Sequence, residues 1–257
     1  MPQLLPAVQR ADWRTDRILF AMDTHTAHMR IVLVRPQLGE NVGFVARLIK
    51  NFAVGELALV APVSGWRDGA LRTASMCPQV VEAAREFDVV ADAIADRSRV
   101  VGFTARAGSE RSVTPLENLE PSDGSTALVF GNERTGLSQE ESTHCTELVR
   151  IDAPGLSSLN LSHAVGLALW EWRRSPPTAT EPPVGLASAS DKERFIAQAT
   201  EVLASLGFRV GDPHFAGMVD RLVRGARLQT RDLRMLHRLV THAAWLRDGG
   251  PETTEAR

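Results

Sequence analysis

The sequence has no tyrosine and only two cysteines, Cys77 and Cys145, among its 257 residues. The cysteines form no Cys-x-x-Cys pair and lie in no His/Cys cluster, so the sequence predicts neither a disulfide framework nor a metal site. No apolar run approaches the roughly 20 residues that a membrane helix needs. The first residues lack the apolar core and small-residue cleavage site of a secretory signal. Together these absences predict a cytoplasmic protein with reduced, partly buried thiols.

Charge is nearly balanced, with 29 Lys and Arg against 31 Asp and Glu and a formal net charge of −2. Such a balance argues against nucleic acid as a partner, but the average hides an asymmetry. Residues 191–247 hold ten basic and six acidic residues, whereas residues 29–174 hold fifteen and eighteen. The basic surplus therefore lies at the C-terminal end.

Short apolar runs of strand length alternate with helical patterns along residues 29–174. The runs are continuous, as expected where helices cover both faces of a parallel sheet. The sequence therefore predicts an α/β class with a mainly parallel sheet. The predicted strands are residues 31–34, 57–60, 100–103, 127–130 and 148–151.

The segments between the strands carry helix and turn signals. Asn41 is the expected N-cap of the first helix, because a short polar side chain there can accept a backbone hydrogen bond. Residues 63–77 are expected to form a loop, and residues 78–87 a helix. Two later helices are expected to start at Ser138 and near Leu161.

The clearest boundary is the stretch 175–183, where four prolines in nine residues favour an extended spacer. Beyond it the sequence predicts three helices, the second opening at Asp212 with Pro213 at its first position. The predicted organisation is a mostly disordered leader, a main domain, a linker, a small helical extension and a tail. These parts are residues 1–28, 29–174, 175–190, 191–247 and 248–257, respectively.

Two polar turns between residues 126 and 174 concentrate the candidate chemistry, since each follows a strand and leads into a helix. The first, Gly131 to Ser138, nearly fits the phosphate-binding pattern G-x-x-x-x-G-K-[ST]. Leu137 stands where that pattern needs lysine, which argues against a nucleoside triphosphatase. The dinucleotide pattern G-x-G-x-x-G follows none of the predicted strands. What remains is a glycine turn that a ligand can approach, with the carboxylate of Glu133; a helix-capping turn is the alternative.

The second turn, residues 157–162, holds three serines and Asn160 before an apolar helix. Ser158, Asn160 or Ser162 can cap that helix, but one cap is sufficient, so polar groups are left for a ligand. His163 is interpreted as a helix residue, because no nearby group completes a catalytic dyad.

Arg47 lies four residues beyond Gly43 on the first helix, and so on the same helical face. The missing side chain of the glycine is expected to leave space beside the guanidinium for another group. An ordinary surface arginine is the alternative.

Three segments resemble, in order, the three motifs of the SpoU/TrmH branch of the SPOUT methyltransferases. They are Asn41-Val-Gly-x-x-Ala-Arg47, Phe130-Gly-Asn-Glu-Arg-x-Gly-Leu137 and Ser157-Ser-Leu-Asn-Leu-Ser-x-Ala-Val165. Order and spacing together are more specific than any one motif. Residues 207–239 are similar to the helical extension of the TrmJ group of tRNA methyltransferases, so the resemblance covers about residues 29–247.

The resemblance implies a sheet whose C-terminal part forms a deep trefoil knot, and a homodimer. It implies transfer of a methyl group from S-adenosyl-L-methionine to a ribose 2′-hydroxyl of RNA. In the TrmJ group the target is the first nucleotide of the tRNA anticodon loop, a cytidine or uridine at tRNA position 32. Catalysis would rest on Arg47, supported by Asn41, Glu133, Ser158 and Asn160. Because a guanidinium stays protonated, we expect Arg47 to bind phosphate and stabilise the alkoxide, and a role as base stays open.

The same resemblance places the cofactor against the two turns, with its adenine near backbone groups and the turn glycines leaving room for it. The candidate cofactor-binding residues are Thr104, Gly131, Glu133, Gly136, Ile151, Ser158 and Leu159.

Arginines recur at three- or four-residue steps in the last two helices and can form stripes for RNA, although a solvated helix face is the alternative. The candidate RNA-binding residues are Arg47, Arg221, Arg224, Arg231, Arg234 and Arg238. Trp170 and Trp172 are two residues apart on one helix and cannot both face one core. One of them is therefore a candidate for an interface.

The sequence departs from the family near the third motif, where Leu156 precedes the serines and tyrosine is missing. Two rival functions stay open. A ribosomal-RNA 2′-O-methyltransferase, including one that gives antibiotic self-resistance, is the first rival. An RNA-binding protein of the same fold without catalysis is the second.

Overall fold

The computed structural model describes residues 26–105, 113–121, 125–155, 159–174 and 185–248. Its strands are β1 (Arg30–Val34), β2 (Glu56–Val60), β3 (Arg85–Phe87), β4 (Arg99–Phe103), β5 (Val113–Pro115), β6 (Thr126–Phe130) and β7 (Glu147–Arg150). They form one seven-stranded sheet in the order β3-β2-β1-β6-β4-β7-β5. Every pairing between neighbours is parallel, which confirms the predicted class.

The helices that precede the proline-rich stretch are α1 (Gly39–Asn51), α2 (Trp66–Ala74), α3 (Pro78–Glu82), α4 (Val90–Ile94), α5 (Gln139–Thr143) and α6 (Leu161–Arg174). Those that follow it are α7 (Ala189–Ser205), α8 (Pro213–Val219) and α9 (Thr230–Arg247), with a π-helical turn at Asp220–Arg224. Among the described residues, no helix combines the length and apolar character needed to cross a membrane.

Both faces of the sheet are buried. Ile31 and Leu33 of β1 point to one face and pack with α1, α2, α3 and α6. Val32 and Val34 point to the other and pack with α4. This alternation, with helices on both sides, explains why the strands are continuous apolar runs. Cys77 and Cys145 are both buried within these cores, whereas only partial burial was predicted.

Some local predictions were wrong. Asn41 is not the N-cap of α1, which begins two residues earlier at Gly39. Most of the expected loop at 63–77 is helix α2, and the expected helix at 78–87 ends at Glu82 before β3. Helix α2 was missed because its buried face is short and small, with glycine and alanine beside Trp66.

Helices α1 and α2 pack closely through glycine. A side chain at Gly43 would lie 2.1 Å from Thr73 Oγ1 and 2.2 Å from the Ala70 carbonyl oxygen. At Gly39 it would lie 2.3 Å from the carbonyl oxygen of Trp66. The space that the missing side chain of Gly43 leaves on α1 is therefore occupied by α2.

The C-terminal helices join the main domain at the edge of the sheet where the strands start. The backbone N–H of Ala189 donates to the carbonyl of Arg97 at 2.8 Å, and that of Ser190 to Ala95 at 3.0 Å. Residues 95–97 directly precede β4. Helix α7 begins inside the stretch expected to be a linker, because Ser188 forms a capping box with residue 191.

Beyond this junction the C-terminal helices pack mainly on one another. A separate small core contains Phe195 of α7, Val223 of the π-helical turn and Leu233 of α9. The predicted cap of α8 is present, since Asp212 Oδ1 accepts the backbone N–H of His214 at 2.8 Å.

Candidate functional site

Three segments converge at the edge of the sheet where the parallel strands end. The segment after β1 enters α1, and the segment after β6 forms the turn 131–136. Since β1 and β6 are neighbours, their polar ends meet. Residues 159–162, which lead into α6, complete the group because α6 packs against α1.

Glu133 is held at the start of α1. Its Oε2 accepts the backbone N–H of Gln37 at 3.0 Å, and its Oε1 accepts that of Leu38 at 3.3 Å. Asn41 Nδ2 donates to Oε1 at 2.9 Å. Helix α1 has no side-chain cap of its own, so this carboxylate satisfies backbone donors at the positive end of the helix. Glu133 thereby fixes the turn 131–136 to α1.

A chain of amide hydrogen bonds continues to the third segment. Asn160 Nδ2 donates to Asn41 Oδ1 at 3.0 Å. Asn160 Oδ1 accepts from Ser162 twice, from its backbone N–H at 2.9 Å and from its hydroxyl at 2.8 Å. Asn160 therefore caps α6 and contacts Asn41 with one side chain, which combines the two roles that the sequence left open.

Arg47 lies on α1 beside this chain. Its side chain is exposed, and within the described part of the protein it makes no hydrogen bond or ion pair. It borders an open cavity of about 760 Å³ between α1 and α6. The cavity is lined by Phe44, Arg47, Leu48, Asn51, Leu159, Asn160, Ser162, His163, Gly166 and Leu167. An exposed, unpaired guanidinium is available to an anionic ligand such as a phosphate.

Asn132 organises the turn after β6. Its Oδ1 accepts the backbone N–H groups of Arg134 at 2.8 Å and Thr135 at 3.2 Å, which is how asparagine closes a turn. Its Nδ2 donates to the carbonyl of Arg35 at 3.0 Å, and so ties the end of β6 to the end of β1. Asn132 was not among the predicted site residues, although an asparagine close after a strand is a recognised turn signal.

The two glycines of the turn have different roles. A side chain at Gly131 would lie 2.1 Å from the backbone of Gly136, so the turn itself requires this glycine. Gly136 has φ of 67°, and no heavy atom of the described residues lies within 4 Å of the position its Cβ would take. Space for a ligand is therefore present at Gly136, whereas the reason given for Gly131 was wrong.

Arg35 is a second residue that the sequence analysis missed. Its Nε and Nη2 each donate to the carboxylate of Glu141 at 2.8 Å, and Nη2 lies 3.4 Å from the carbonyl oxygen of Gly136. Burial raises the pKa of the Glu141 carboxyl, but hydrogen bonds from Arg35 and Ser138 outweigh it and bring that pKa below its ordinary value. The pair joins residues 106 positions apart, a separation for which one sequence holds no signal.

The other candidate cofactor residues lie at the same sheet edge. Thr104 follows β4, and its backbone N–H donates to Val149 at 3.0 Å. Ile151 follows β7 and is half-buried against the core, and Leu159 lines the cavity. Ser158 lies outside the described residues.

The candidate RNA-binding arginines of the C-terminal helices differ in availability. Arg221, Arg231, Arg234 and Arg238 are exposed. Arg224 is half-buried and donates to both carboxylate oxygens of Glu193, at 2.6 and 2.9 Å. This ion pair makes Arg224 the least accessible member of the set.

Comparison with known proteins gives one consistent result. The profile of the SpoU rRNA Methylase family matches residues 28–170. The "tRNA (cytidine/uridine/adenosine-2'-O-)-methyltransferase TrmJ" of Pseudomonas aeruginosa (strain UCBPP-PA14) is 31% identical over 240 residues, 83% of this chain and 92% of the relative. The "tRNA (cytidine-2'-O-)-methyltransferase TrmJ" of Sulfolobus acidocaldarius is 33% identical over 181 residues, 64% of this chain and 75% of the relative.

Among solved structures, TrmJ from Z. mobilis ZM4 superposes with a TM-score of 0.71 at 30% identity and covers 83% of this chain and 97% of that one. The three converging segments all lie within or next to the range that the family profile matches. The chain belongs to the SpoU rRNA Methylase family.

Proposed function

We propose that the protein is an S-adenosyl-L-methionine-dependent RNA 2′-O-ribose methyltransferase that modifies the cytidine or uridine at position 32 of tRNA. The observation that carries this proposal is the hydrogen-bonded chain Glu133–Asn41–Asn160, which joins the three family segments beside the unpaired Arg47. The tRNA methyltransferase of P. aeruginosa matches 83% of the chain, well beyond the range of the family profile, which supports tRNA as the substrate.

The reaction needs assistance because a ribose hydroxyl is a poor nucleophile and a weak acid. In our proposal Arg47 binds a phosphate next to the target ribose and stabilises the alkoxide as the hydroxyl proton passes to solvent water. Asn160 holds the ribose in line with the methyl group, Asn41 positions Asn160 through their hydrogen bond, and Ser158 supplies a further polar group. Glu133 positions these groups by fixing the turn to α1 and does not exchange protons.

The cofactor would supply the methyl group from its positively charged sulfur. The residues present fit such a ligand: the turn is open at Gly136, and Ile151 and Leu159 offer half-buried apolar surface for an adenine ring. Thr104, Gly131 and Glu133 complete the proposed pocket. We expect S-adenosylhomocysteine to bind tightly, and calorimetry that shows no binding at millimolar ligand would contradict the assignment.

The finer features of the fold are also part of the proposal. Strands β6 and β4 separate β7 from β1 in the sheet. The chain after β7 nevertheless returns to Asn41 at the start of α1. This return supports the trefoil knot that the family resemblance implies. We assign residues 29–174 to the knotted domain and residues 191–247 to an RNA-binding extension.

We further propose a homodimer through the exposed apolar residues of α1 and α6. Trp172 is 2% exposed and Trp170 is 61% exposed, so the two rings face opposite ways as predicted. Trp170 shares a helical stripe with Leu167, which faces Phe44 across the cavity, and both of these are 42% exposed. A second copy would bury this apolar surface. Trp170→Asp is expected to produce monomers in sedimentation, and an unchanged dimer would exclude this interface.

RNA would first be attracted by the exposed arginines of the C-terminal helices. Affinity for tRNA should fall steeply with salt, and deletion of residues 175–257 should weaken binding while S-adenosylhomocysteine still binds. Unchanged tRNA affinity after the deletion would refute an RNA-binding extension.

The experiment that tests the function is mass-spectrometric mapping of methylated nucleotides in bulk RNA treated with the protein and isotopically labelled cofactor. A 2′-O-methyl group at tRNA position 32 is the expected result. Methylation of ribosomal RNA alone would show that the substrate is ribosomal RNA and not tRNA. Cofactor binding without methyl transfer would indicate an RNA-binding protein. The same map measures base preference, in which the relatives' names differ.

A further inference from the structure

The solvent-facing side of α9 has several large apolar side chains that are exposed. Met235, Leu239, Trp245 and Leu246 are 55%, 59%, 46% and 54% exposed. At 3.6 residues per turn these side chains and His242 project from one half of the helix. Leu233, on the opposite half, is 2% exposed and packs in the small C-terminal core. We call the exposed group, with the arginines between its members, the α9 face.

The arginines of the α9 face are Arg231, Arg234 and Arg238. In the part of the chain that the structure describes, Arg234 and Arg238 have no hydrogen bond or ion pair. The side chain of Arg231 is 79% exposed and is 3.6 Å from Asp232, a contact too long to hold it. The α9 face is therefore cationic as well as apolar.

This combination favours one kind of occupant. A second copy seated symmetrically on the α9 face would bring arginines against arginines, which opposes such a contact. An unpaired stretch of RNA matches both properties, since its phosphates pair with arginine and its bases stack on aromatic side chains. A duplex matches less well because its bases already stack on each other.

The aromatic pair on the α9 face provides a stacking surface. The rings of His242 and Trp245 have centroids 5.1 Å apart and planes tilted by 32°. Trp245 lies seven residues beyond Arg238, about 10 Å along the helix. A base on the indole ring can therefore be held while an adjacent phosphate contacts the guanidinium.

We propose that the α9 face binds unpaired nucleotides of the RNA substrate, with Trp245 stacking on a base and the three arginines holding phosphates. The proposal rests on the proposed function, since it takes RNA as the substrate. It goes beyond charge attraction because it assigns a base contact and a preference for single strands.

The test measures fluorescence anisotropy of full-length protein with a labelled single-stranded RNA and with a hairpin duplex of the same length. Trp245→Leu keeps an apolar side chain but removes the π-face, and is expected to weaken single-strand affinity about tenfold. Trp245→Phe should stay within about threefold of the original protein. The matched control is Phe208→Leu, an aromatic residue outside α9 that is 58% exposed, and it should have no effect.

Salt dependence separates stacking from charge. Trp245→Leu should leave the slope of log affinity against log salt unchanged, whereas Arg238→Gln should reduce its magnitude by roughly 0.7. Thermal unfolding of each variant shows whether the helices remain folded.

Several results would overturn the proposal. Single-strand affinity of Trp245→Leu equal to that of the original protein is one, and an equal loss in Phe208→Leu is another. A changed sedimentation coefficient for Trp245→Leu would assign the face to a protein partner. If the original protein methylates tRNA while Trp245→Leu binds and methylates equally well, only the stacking surface is wrong. If the original protein binds no RNA, the proposed function fails first.

Discussion

The two edges of the parallel sheet hold arginines in opposite situations. Where the strands start, Arg30 is 1% exposed and lies in a closed ion cluster. It donates to Glu56 at 2.7 Å, to Asp96 at 2.7 and 3.2 Å and to the carbonyl of Ala93 at 2.7 Å. Arg97 binds the same two carboxylates, each at 3.0 Å. Arg30, Arg97, Glu56 and Asp96 thus have their partners within the protein.

Where the strands end, the polar groups form an open arrangement. The chain from Glu133 through Asn41 to Asn160 is complete, but Arg47 beside it has no partner among the described residues. Residue type therefore does not separate an arginine that is paired within the protein from one that is available to a ligand. The two arginines differ in whether their guanidinium groups already have hydrogen-bond partners. Folding provides Arg30 with acceptors, whereas the donors of Arg47 remain available to a ligand.

Arg47→Ala should give the largest effect and should leave the fold intact. Loss of a cation that stabilises developing charge typically lowers a rate by about 10²–10³. Because the side chain is exposed and unpaired, the free energy of unfolding should change by less than about 0.5 kcal/mol. Single-turnover methyl transfer and denaturant unfolding measure the two quantities.

Lys50→Ala, an exposed residue on the same helix, is the control and should change neither quantity. Arg47→Lys refines the test, since lysine keeps the charge but not the planar fork. Full activity of Arg47→Lys at neutral pH would show that a point charge is sufficient.

Arg30→Met should have the reverse effect, a loss of stability without a specific loss of catalysis. Breaking a buried ion pair costs about 3–5 kcal/mol, and the partly exposed carboxylates here place the expected loss near about 3 kcal/mol. Arg67→Met, which breaks an exposed pair with Glu86, should cost less than about 1 kcal/mol. Equal losses in the two variants would contradict the distinction between closed and open clusters.

The same cluster predicts a pH dependence. Burial raises the pKa of Glu56 and of Asp96, but hydrogen bonds and charge from Arg30 and Arg97 outweigh it and lower both pKa values. Their stabilising contribution is thus present above about pH 4 and is lost as pH falls through the lowered folded-state values. Acid unfolding of Arg30→Met should show a weaker dependence in that range.

Sequence alone predicted the interior of the sheet well because burial on both faces leaves a direct signal. All five predicted strands were found, but each begins one residue earlier than expected. The reason is chemical: the first residues, such as Arg30, Glu56 and Arg99, are polar or charged, and apolar runs cannot reveal them. The short strands β3 and β5 were missed because they lie at the sheet edges and are partly exposed.

The candidate site was likewise predicted only in part from the sequence. Family motifs predicted that Asn41, Glu133 and Asn160 belong together, and the structure places them in one hydrogen-bonded chain. No pattern in the sequence predicted that Arg35 pairs with Glu141, because such a contact depends on how β1 and α5 are placed by the whole sheet. Local signals identify caps and turns, whereas the partner of a distant charge follows only from the fold.

Lys192 tests whether a buried cation can be held without carboxylates. It is 3% exposed, and its Nζ donates to the carbonyl oxygens of Arg224 at 3.1 Å and Ala226 at 2.7 Å. Burial lowers its pKa to about 8. Between that value and the unfolded value of about 10.4, the unfolded chain binds more protons, so stability rises with pH.

The unfolding free energy of the original protein relative to Lys192→Met should therefore increase by about 2 kcal/mol between about pH 7.5 and pH 9.5. Denaturant unfolding at both pH values measures it. A difference independent of pH would mean that the two carbonyls keep the ammonium charged as firmly as the carboxylates keep Arg30.

The smallest effect is expected for the ion pair of Arg35 and Glu141. This pair lies at the edge where the strands end, but its charges are paired with each other, as those of the Arg30 cluster are at the opposite edge. Side-chain exposures of 39% and 17% limit its coupling energy to about 1 kcal/mol, even with bidentate geometry. Because Nη2 of Arg35 also approaches the carbonyl of Gly136, Arg35→Met and Glu141→Gln should each raise the KM for the cofactor about fivefold and leave kcat nearly unchanged. The double variant should be no worse than either single one, since the first substitution already releases the turn. Additive effects on KM would show that the two residues act separately, and a loss of stability with unchanged KM would place the pair with the structural cluster of Arg30.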